Sequence, residues 1–148
     1  MRALLQRVKR AKVSTDQEVI SQIGYGLCVL LGAGEGDGDG DIAWLADKIV
    51  NLRIFEDEAG KLNKSIVDIA GEILLVSQFT LYADCRRGRR PSFDKALNPP
   101  EAEELFNRFF DYISKLGIRV KKGRFRALME IELVNHGPVT IFLDSSQR

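Results

Sequence analysis

The run Leu-Cys-Val-Leu-Leu at positions 27–31 constrains the fold more than any other stretch of the chain. Consecutive apolar residues bounded by Gly26 and Gly32 suit a strand hidden on both faces, and such a strand needs a covering layer on each side. A second run of this kind, EILLVSQFTLYA at 72–83, reads as the central strand.

The elements around them follow from periodicity. RALLQRVKRAKVS (2–14) leads through the polar Thr-Asp-Gln (15–17) into the strand-like 18–33, as in a hairpin. Five basic residues precede the first acid, Asp16, a pattern shared with transit peptides. The β-compatible Leu5 and Val8 to Val13, and the lack of serine enrichment, favour a strand instead. Gly alternates with acid over 34–41, and Asp37, Asp39 and Asp41 have the spacing of calcium ligands in an EF-hand. Ile42 and Lys48 stand where that loop needs glycine and glutamate, so no calcium site is expected and Asp41 reads as a helix N-cap. Ile42, Leu45, Ala46, Ile49 and Leu52 then share one helical face. Asp57 to Gly60 form a hairpin-like turn. A second helix starts at Pro99-Pro100 with acids in its first turn, buries Ala102, Leu105, Phe106, Phe109, Ile113 and Leu116, and ends at Gly117. Two more strands follow. The order βββ-α-ββ-α-ββ lacks repeated βαβ units and predicts an α+β fold: one domain with a mixed or antiparallel, barrel-like sheet and two main helices.

At 148 residues, one domain can bury a sizeable core. A net charge of +1 argues against a general nucleic-acid coat, although basic residues cluster at Arg7 to Lys12, Arg86 to Arg90 and Lys115 to Arg126. Two cysteines, Cys28 and Cys85, suit a reducing, cytoplasmic location, and no apolar run is long enough to span a membrane.

Side chains fit for catalysis are scarce. His136 is the sole histidine, and no GxSxG, HExxH or Walker pattern occurs. Gly24-Tyr25-Gly26 lacks the third glycine and helix of a dinucleotide fingerprint. Cys28 reads as a core residue. Cys85 stands beside Arg86, Arg87, Arg89 and Arg90, which would make it the more nucleophilic cysteine, so a Cys85–His136 hydrolase is conceivable.

Two polar segments interrupt apolar strands: Ser77-Gln78-Phe79-Thr80 and Asn135-His136-Gly137-Pro138-Val139-Thr140. Each alone is explained by side-chain bonds to backbone, a bulge or an edge-strand stop. Together they suggest a site, because buried strand ends rarely carry unused polar groups, and glycine lets a ligand approach the backbone closely.

These two segments, with MRALLQRV, WLADKIVNLRIF, GEILLVSQFTLYAD and GRRPSF, resemble the D-aminoacyl-tRNA deacylases of the bacterial and eukaryotic type along almost the whole chain. The resemblance implies a homodimeric esterase, without metal or organic cofactor, that hydrolyses D-aminoacyl-tRNA, glycyl-tRNA included, to free tRNA and amino acid. It implies a catalytic segment Ser77, Gln78, Phe79 and Thr80, with N–H groups around Gln78 and Phe79 polarising the ester carbonyl and the tRNA 2′-hydroxyl assisting. Substrate and chirality contacts would come from Asn135, Gly137, Pro138, Val139, Thr140 and Met129. Phe79 and Met129 would wall the adenosine pocket, and a cis Gly137-Pro138 pair would enter the partner subunit's pocket. Thr80 as covalent nucleophile is the side-chain alternative. Arg86, Arg87, Arg89 and Arg90 would contact tRNA. Two positions depart from the family pattern: Arg126 replaces the glycine of Phe-Gly-Ala-x-Met, and His136 replaces a residue often acidic, so no catalytic role is expected for it. A noncatalytic tRNA- or nucleotide-binding module is the rival from another class.

Overall fold

A computed structural model describes residues 1–16 and 18–148, so Gln17 of the expected first turn lies outside the described residues. The chain runs β1 (Arg2–Ser14), β2 (Val19–Ile23), β3 (Gly26–Gly32), α1 (Asp39–Asn51), β4 (Phe55–Glu56), β5 (Leu62–Lys64), β6 (Glu72–Ser77), a 3₁₀ turn (Phe79–Tyr82), α2 (Pro99–Lys115), β7 (Arg119–Lys122) and β8 (Glu130–Asp144). The sheet is mixed and nearly closed, with β2-β1-β3-β6-β7 in order and β8 along the other side of β1. Strands β3, β6 and β7 are parallel, and the pairs of β1 are antiparallel. Bonds from Ser21 Oγ to the Lys122 carbonyl and from Lys121 Nζ to the Gln22 carbonyl bring β2 against β7 and curl the sheet towards closure.

Alternation explains why the central residues of β3 and β6, 27–31 and 73–76, are apolar without a break. Leu27, Val29 and Leu31 of β3 and Ile73 and Leu75 of β6 face the helices, where they meet Leu45, Ile49, Phe106, Phe109 and Ile113. Cys28, Leu74 and Val76 point into the curl of the sheet with Val8, Ala11, Val13 and Ile23. Each fully buried Leu, Ile or Phe contributes on the order of 1.5–3 kcal/mol. Burial raises the Cys28 thiol to about 11, so it stays protonated and inert at neutral pH.

Several boundaries differ from the sequence reading. Strand β6 stops at Ser77 instead of continuing to Ala83, because the chain turns into the 3₁₀ segment. Helix α1 is capped at Gly38, and Asp41, one turn in, accepts the Gly38 N–H at 2.9 Å. Leu116 follows α2 and is 47% exposed, so it leaves the core face while Gly117 ends the helix at a φ of +81°. The small β4–β5 pair adds a strand between the helices and forms a separate sheet.

Arg126 adopts a φ of +61°, where a side chain crowds the backbone. The left-handed conformation costs about 1–2 kcal/mol for a residue with a Cβ. Glycine forfeits about 0.4–1 kcal/mol through unfolded-chain entropy. Arg126→Gly should therefore stabilise the protein by about 0.5–1 kcal/mol, raising the midpoint of thermal unfolding by a few degrees. A lowered midpoint would show that the Arg126 side chain has a stabilising role.

Candidate active site

The 3₁₀ turn after β6 carries the first signature. Gln78 N–H donates to the Leu31 carbonyl at 2.8 Å, extending the β3–β6 ladder by one bond. It is thus engaged in the sheet and does not serve as a carbonyl-polarising donor. The next two N–H groups, of Phe79 and Thr80, open the turn and have no acceptor among the described residues, as expected at a helical start. Gln78 Nε2 donates to the Thr80 hydroxyl, and no base lies beside that hydroxyl to make it a nucleophile.

The turn is held rigidly from behind. Arg2 stacks on the Tyr82 ring at 4.4 Å, donates to the Leu81 carbonyl at 2.9 Å and pairs with Asp144 at 2.9 Å. Tyr82 Oη donates to Asp37 at 3.1 Å; burial, then the Asp37 carboxylate, raise the phenol pKa and keep it a neutral donor. Gly34 lies flat against this ring: a Cβ there would collide with the ring atoms, so only glycine allows the approach.

In front of the turn is a cleft lined by Ser77, Gln78, Phe79, Leu97, Phe106 and Phe125, among others. Phe79 is 58% exposed and meets Phe93 edge to face at 4.9 Å, and Phe106 meets Phe125 at 5.9 Å. No carboxylate, imidazole or lysine lines this cleft. Met129 does not line it either: it packs under the sheet close to Gly123. Phe125 takes the place expected for Met129. Phe106 and Phe125 were legible as core residues, but nothing in their spacing marks them as walls of a cleft.

The second signature is a loop within a continuous strand. Gln6 pairs with Thr140 and Val8 with Asn135, so Arg7 alone faces the four residues from His136 to Val139. Asn135 closes this wide bulge: its Oδ1 accepts the Val139 N–H at 2.9 Å and its Nδ2 donates to Thr140 Oγ1 at 3.0 Å. An amide supplies both an acceptor and a donor, which explains Asn at the start of the loop and Thr at its end. The Gly137-Pro138 peptide bond is cis, and both residues are exposed. They do not line the cleft of their own chain.

Beneath the loop lies Arg7, 2% exposed. Its Nε donates to the His136 carbonyl at 2.9 Å and its Nη1 to the Ile54 carbonyl at 2.8 Å, while Nη2 lies 3.5 Å from Glu56. A guanidinium is the one side chain with donors spread widely enough to tie a loop, a helix exit and a carboxylate together. Its role was not evident from sequence, where it read as one of a basic group. The His136 ring rests against Tyr25 at 5.8 Å, and its Nδ1 is buried without a partner.

The remaining candidates fall elsewhere. Cys85 is exposed and lines a separate cleft with Arg2, Tyr82, Asp84, Arg86 and Lys95, a setting that does not include His136. Arg86 folds back on Asp84 at 2.9 and 3.0 Å and holds that carboxyl well below the usual range. Arg87, Arg89 and Arg90 are exposed on the same loop, which an Asp84–Ser92 bridge closes.

An aromatic cleft that no carboxylate, imidazole or lysine lines, beside a turn whose first N–H groups have no acceptor among the described residues, suits a class of site that works through backbone and shape. The chain belongs to the D-Tyr-tRNA(Tyr) deacylase family, whose model matches residues 4–144. Curated D-aminoacyl-tRNA deacylases from Thermotoga petrophila and Clostridium kluyveri are 53% and 54% identical to it, each over 99% of both chains. Among solved structures, a c-Myc DNA unwinding element binding protein superposes with a TM-score of 0.92 at 44% identity, covering 97% of this chain and 98% of the other. A probable eukaryotic D-amino acid tRNA deacylase shares the fold, with a TM-score of 0.82 at 16% identity over 96% and 97% of the two chains.

Proposed function

We propose that the protein hydrolyses the ester of D-aminoacyl-tRNA, and of glycyl-tRNA, in the cytoplasm and as a homodimer. The observation that carries this is the Phe79 N–H, without an acceptor among the described residues, at an aromatic cleft that no carboxylate, imidazole or lysine lines, with the equally unclaimed Thr80 N–H next to it in the turn. The terminal adenosine would stack on the exposed Phe79 at the mouth of this cleft. The Phe79 N–H, with Thr80 beside it, would polarise the ester carbonyl and hold the oxyanion that forms as water adds. The ester C–O bond then breaks, the added water keeps its oxygen on the amino acid, and a proton reaches the departing ribose 3′-oxygen through the neighbouring 2′-hydroxyl. Ser77 and Gln78 position the donors, and Arg87, Arg89 and Arg90 offer free cations to RNA.

Stereoselection follows from the loop at 135–140. Because Gly137 and Pro138 are exposed and do not line their own cleft, they suit insertion into that of a second copy. The outward face beside the loop supports such a dimer: Phe142 is 50% exposed, and its strand neighbours across the ladder are Leu4 and Gln6 with Thr140. Inserted carbonyls would bind the substrate amino group and fill the space of an L side chain, while glycine has no side chain to reject.

The test is release of amino acid from D-, L- and glycyl-tRNA, with sedimentation to establish the dimer. D and glycyl esters should be cleaved and L esters spared. The solved structure named as a DNA-element binder favours one rival, a nucleic-acid module that binds without cleaving; tRNA binding with no release above the spontaneous rate would support it. Cys85→Ala and His136→Ala should each keep at least half of the activity. A dead Cys85→Ala enzyme would instead establish a cysteine hydrolase.

A further inference from the structure

The bulge in β8 is matched by an irregularity in β1. Val8 pairs with Asn135 and Arg10 with Val134, so Lys9 has no partner in the register. An extra residue in one strand re-aims the side chains around it. Here Lys9 and Arg10 are both exposed, although strict alternation would turn one of them inward, and they lie between the buried Val8 and Ala11. The bulge therefore presents two consecutive cations on one surface.

Neither has an ion-pair partner among the described residues, whereas the neighbouring cations are engaged. Lys12 pairs with Glu132 at 2.7 Å, Arg124 with Glu18 at 2.5 Å, and Lys121 donates to the Gln22 carbonyl at 2.7 Å. Arg10 also forms one wall of an open groove of about 650 Å³, between the second half of β1, β2 and β8. Gln22 and Leu133 line it too, and Lys12 neutralises its carboxylate, Glu132. The rest of the lining is apolar, with Ala11, Ile23, Ile131 and Val134, but the one uncompensated charge is the Arg10 cation, which suits an anionic chain with both polar and apolar faces better than a neutral ligand.

Position then indicates which polyanion. Lys9 and Arg10 directly precede the loop in the ladder, so wherever Gly137 and Pro138 dock, the two cations stand at the entrance. We propose that Lys9 and Arg10 bind backbone phosphates of the single-stranded acceptor end of the aminoacyl-tRNA, with the adjacent groove carrying the sugar-phosphate chain away from the pocket. This rests on the reading that the loop enters a second copy's cleft, and there the cations of one subunit would serve the site of the other. With the terminal nucleoside against Phe79 at the mouth of the cleft, the phosphates that precede it would cross this rim.

The double variant Lys9→Ala, Arg10→Ala removes no side-chain hydrogen bond or ion pair among the described residues, and its thermal midpoint should match the parent's. At about 0.1 M salt its kcat/KM for D-aminoacyl-tRNA should fall roughly tenfold, mostly through KM. The slope of log kcat/KM against log salt should become shallower by about 0.7 for each phosphate that is no longer neutralised. With a D-aminoacyl-adenosine that carries no phosphate, the variant and parent should agree within twofold. Unchanged kinetics on tRNA, or an equal loss on both substrates, would overturn the proposal. If the parent cleaves neither substrate, the deacylase reading fails by itself, and titration with uncharged tRNA decides the surface: equal affinities of variant and parent would refute it.

Discussion

Replacing Gly137 with alanine should lower hydrolysis of D-aminoacyl-tRNA by at least about 100-fold and narrow the D-over-L preference. The backbone there has a φ of +131°, which residues with a Cβ rarely adopt. A Cβ would also stand 2.8 Å from Val139 Cγ2, 3.1 Å from the Val139 nitrogen and 3.0 Å from Arg7 Nη2. None of these can retreat easily: the Val139 N–H is bonded to Asn135, and Arg7 is anchored on two carbonyls. The loop itself must move, and a displacement of about 1 Å in a positioning element can cost on the order of 100-fold in rate. Hydrolysis of matched D and L esters by purified Gly137→Ala protein is the measurement. A folded variant within twofold of the parent on both substrates would show that this loop neither positions nor discriminates.

The second large effect is on stability. Arg7→Ala should destabilise the protein by about 2–5 kcal/mol, mostly through the two buried carbonyls that lose their donor. It leaves the His136 and Ile54 carbonyls without their donor, each costing about 1–3 kcal/mol, and opens a cavity under the loop. For a domain of this size the thermal midpoint should fall by roughly 10 °C. Arg7→Lys, a point charge that can reach one carbonyl at a time, should fall between. The two predictions are coupled: because Gly137 abuts Arg7, the double variant should lose less than the sum of the single losses. A midpoint within 2 °C of the parent for Arg7→Ala would mean that the loop is held by Asn135 alone.

The elements with strong periodicity were legible in the sequence. Helix α2 declares its start by Pro99-Pro100 and its buried stripe by Leu105, Phe106, Phe109 and Ile113, because steps of three and four specify one face whatever the partner. The double-sided burial of β3 follows as directly from its unbroken apolar run. Element ends were less legible. Residues 78–83 continue the β-like composition of β6, yet Gln78 makes the last ladder bond and the chain turns, a choice made by the packing of Tyr82 on Arg2 and Gly34.

For the candidate site, sequence alone determined its residue types: two polar segments inside strands, a glycine-proline pair, and a scarcity of acids and bases. Only the tertiary structure decided which of those groups are available. Gln78 N–H is consumed by Leu31 while those of Phe79 and Thr80 remain free, and Met129 yields its expected place to Phe125. Arg7 changes most, from one cation in a basic run to the buried tie beneath the loop. Identity and spacing are properties of the chain, but hydrogen-bond satisfaction is a property of what lies across the sheet. Arg7 and Lys9 are two residues apart in the same strand, and only the register of β8 against β1 buries one under the loop and leaves the other exposed.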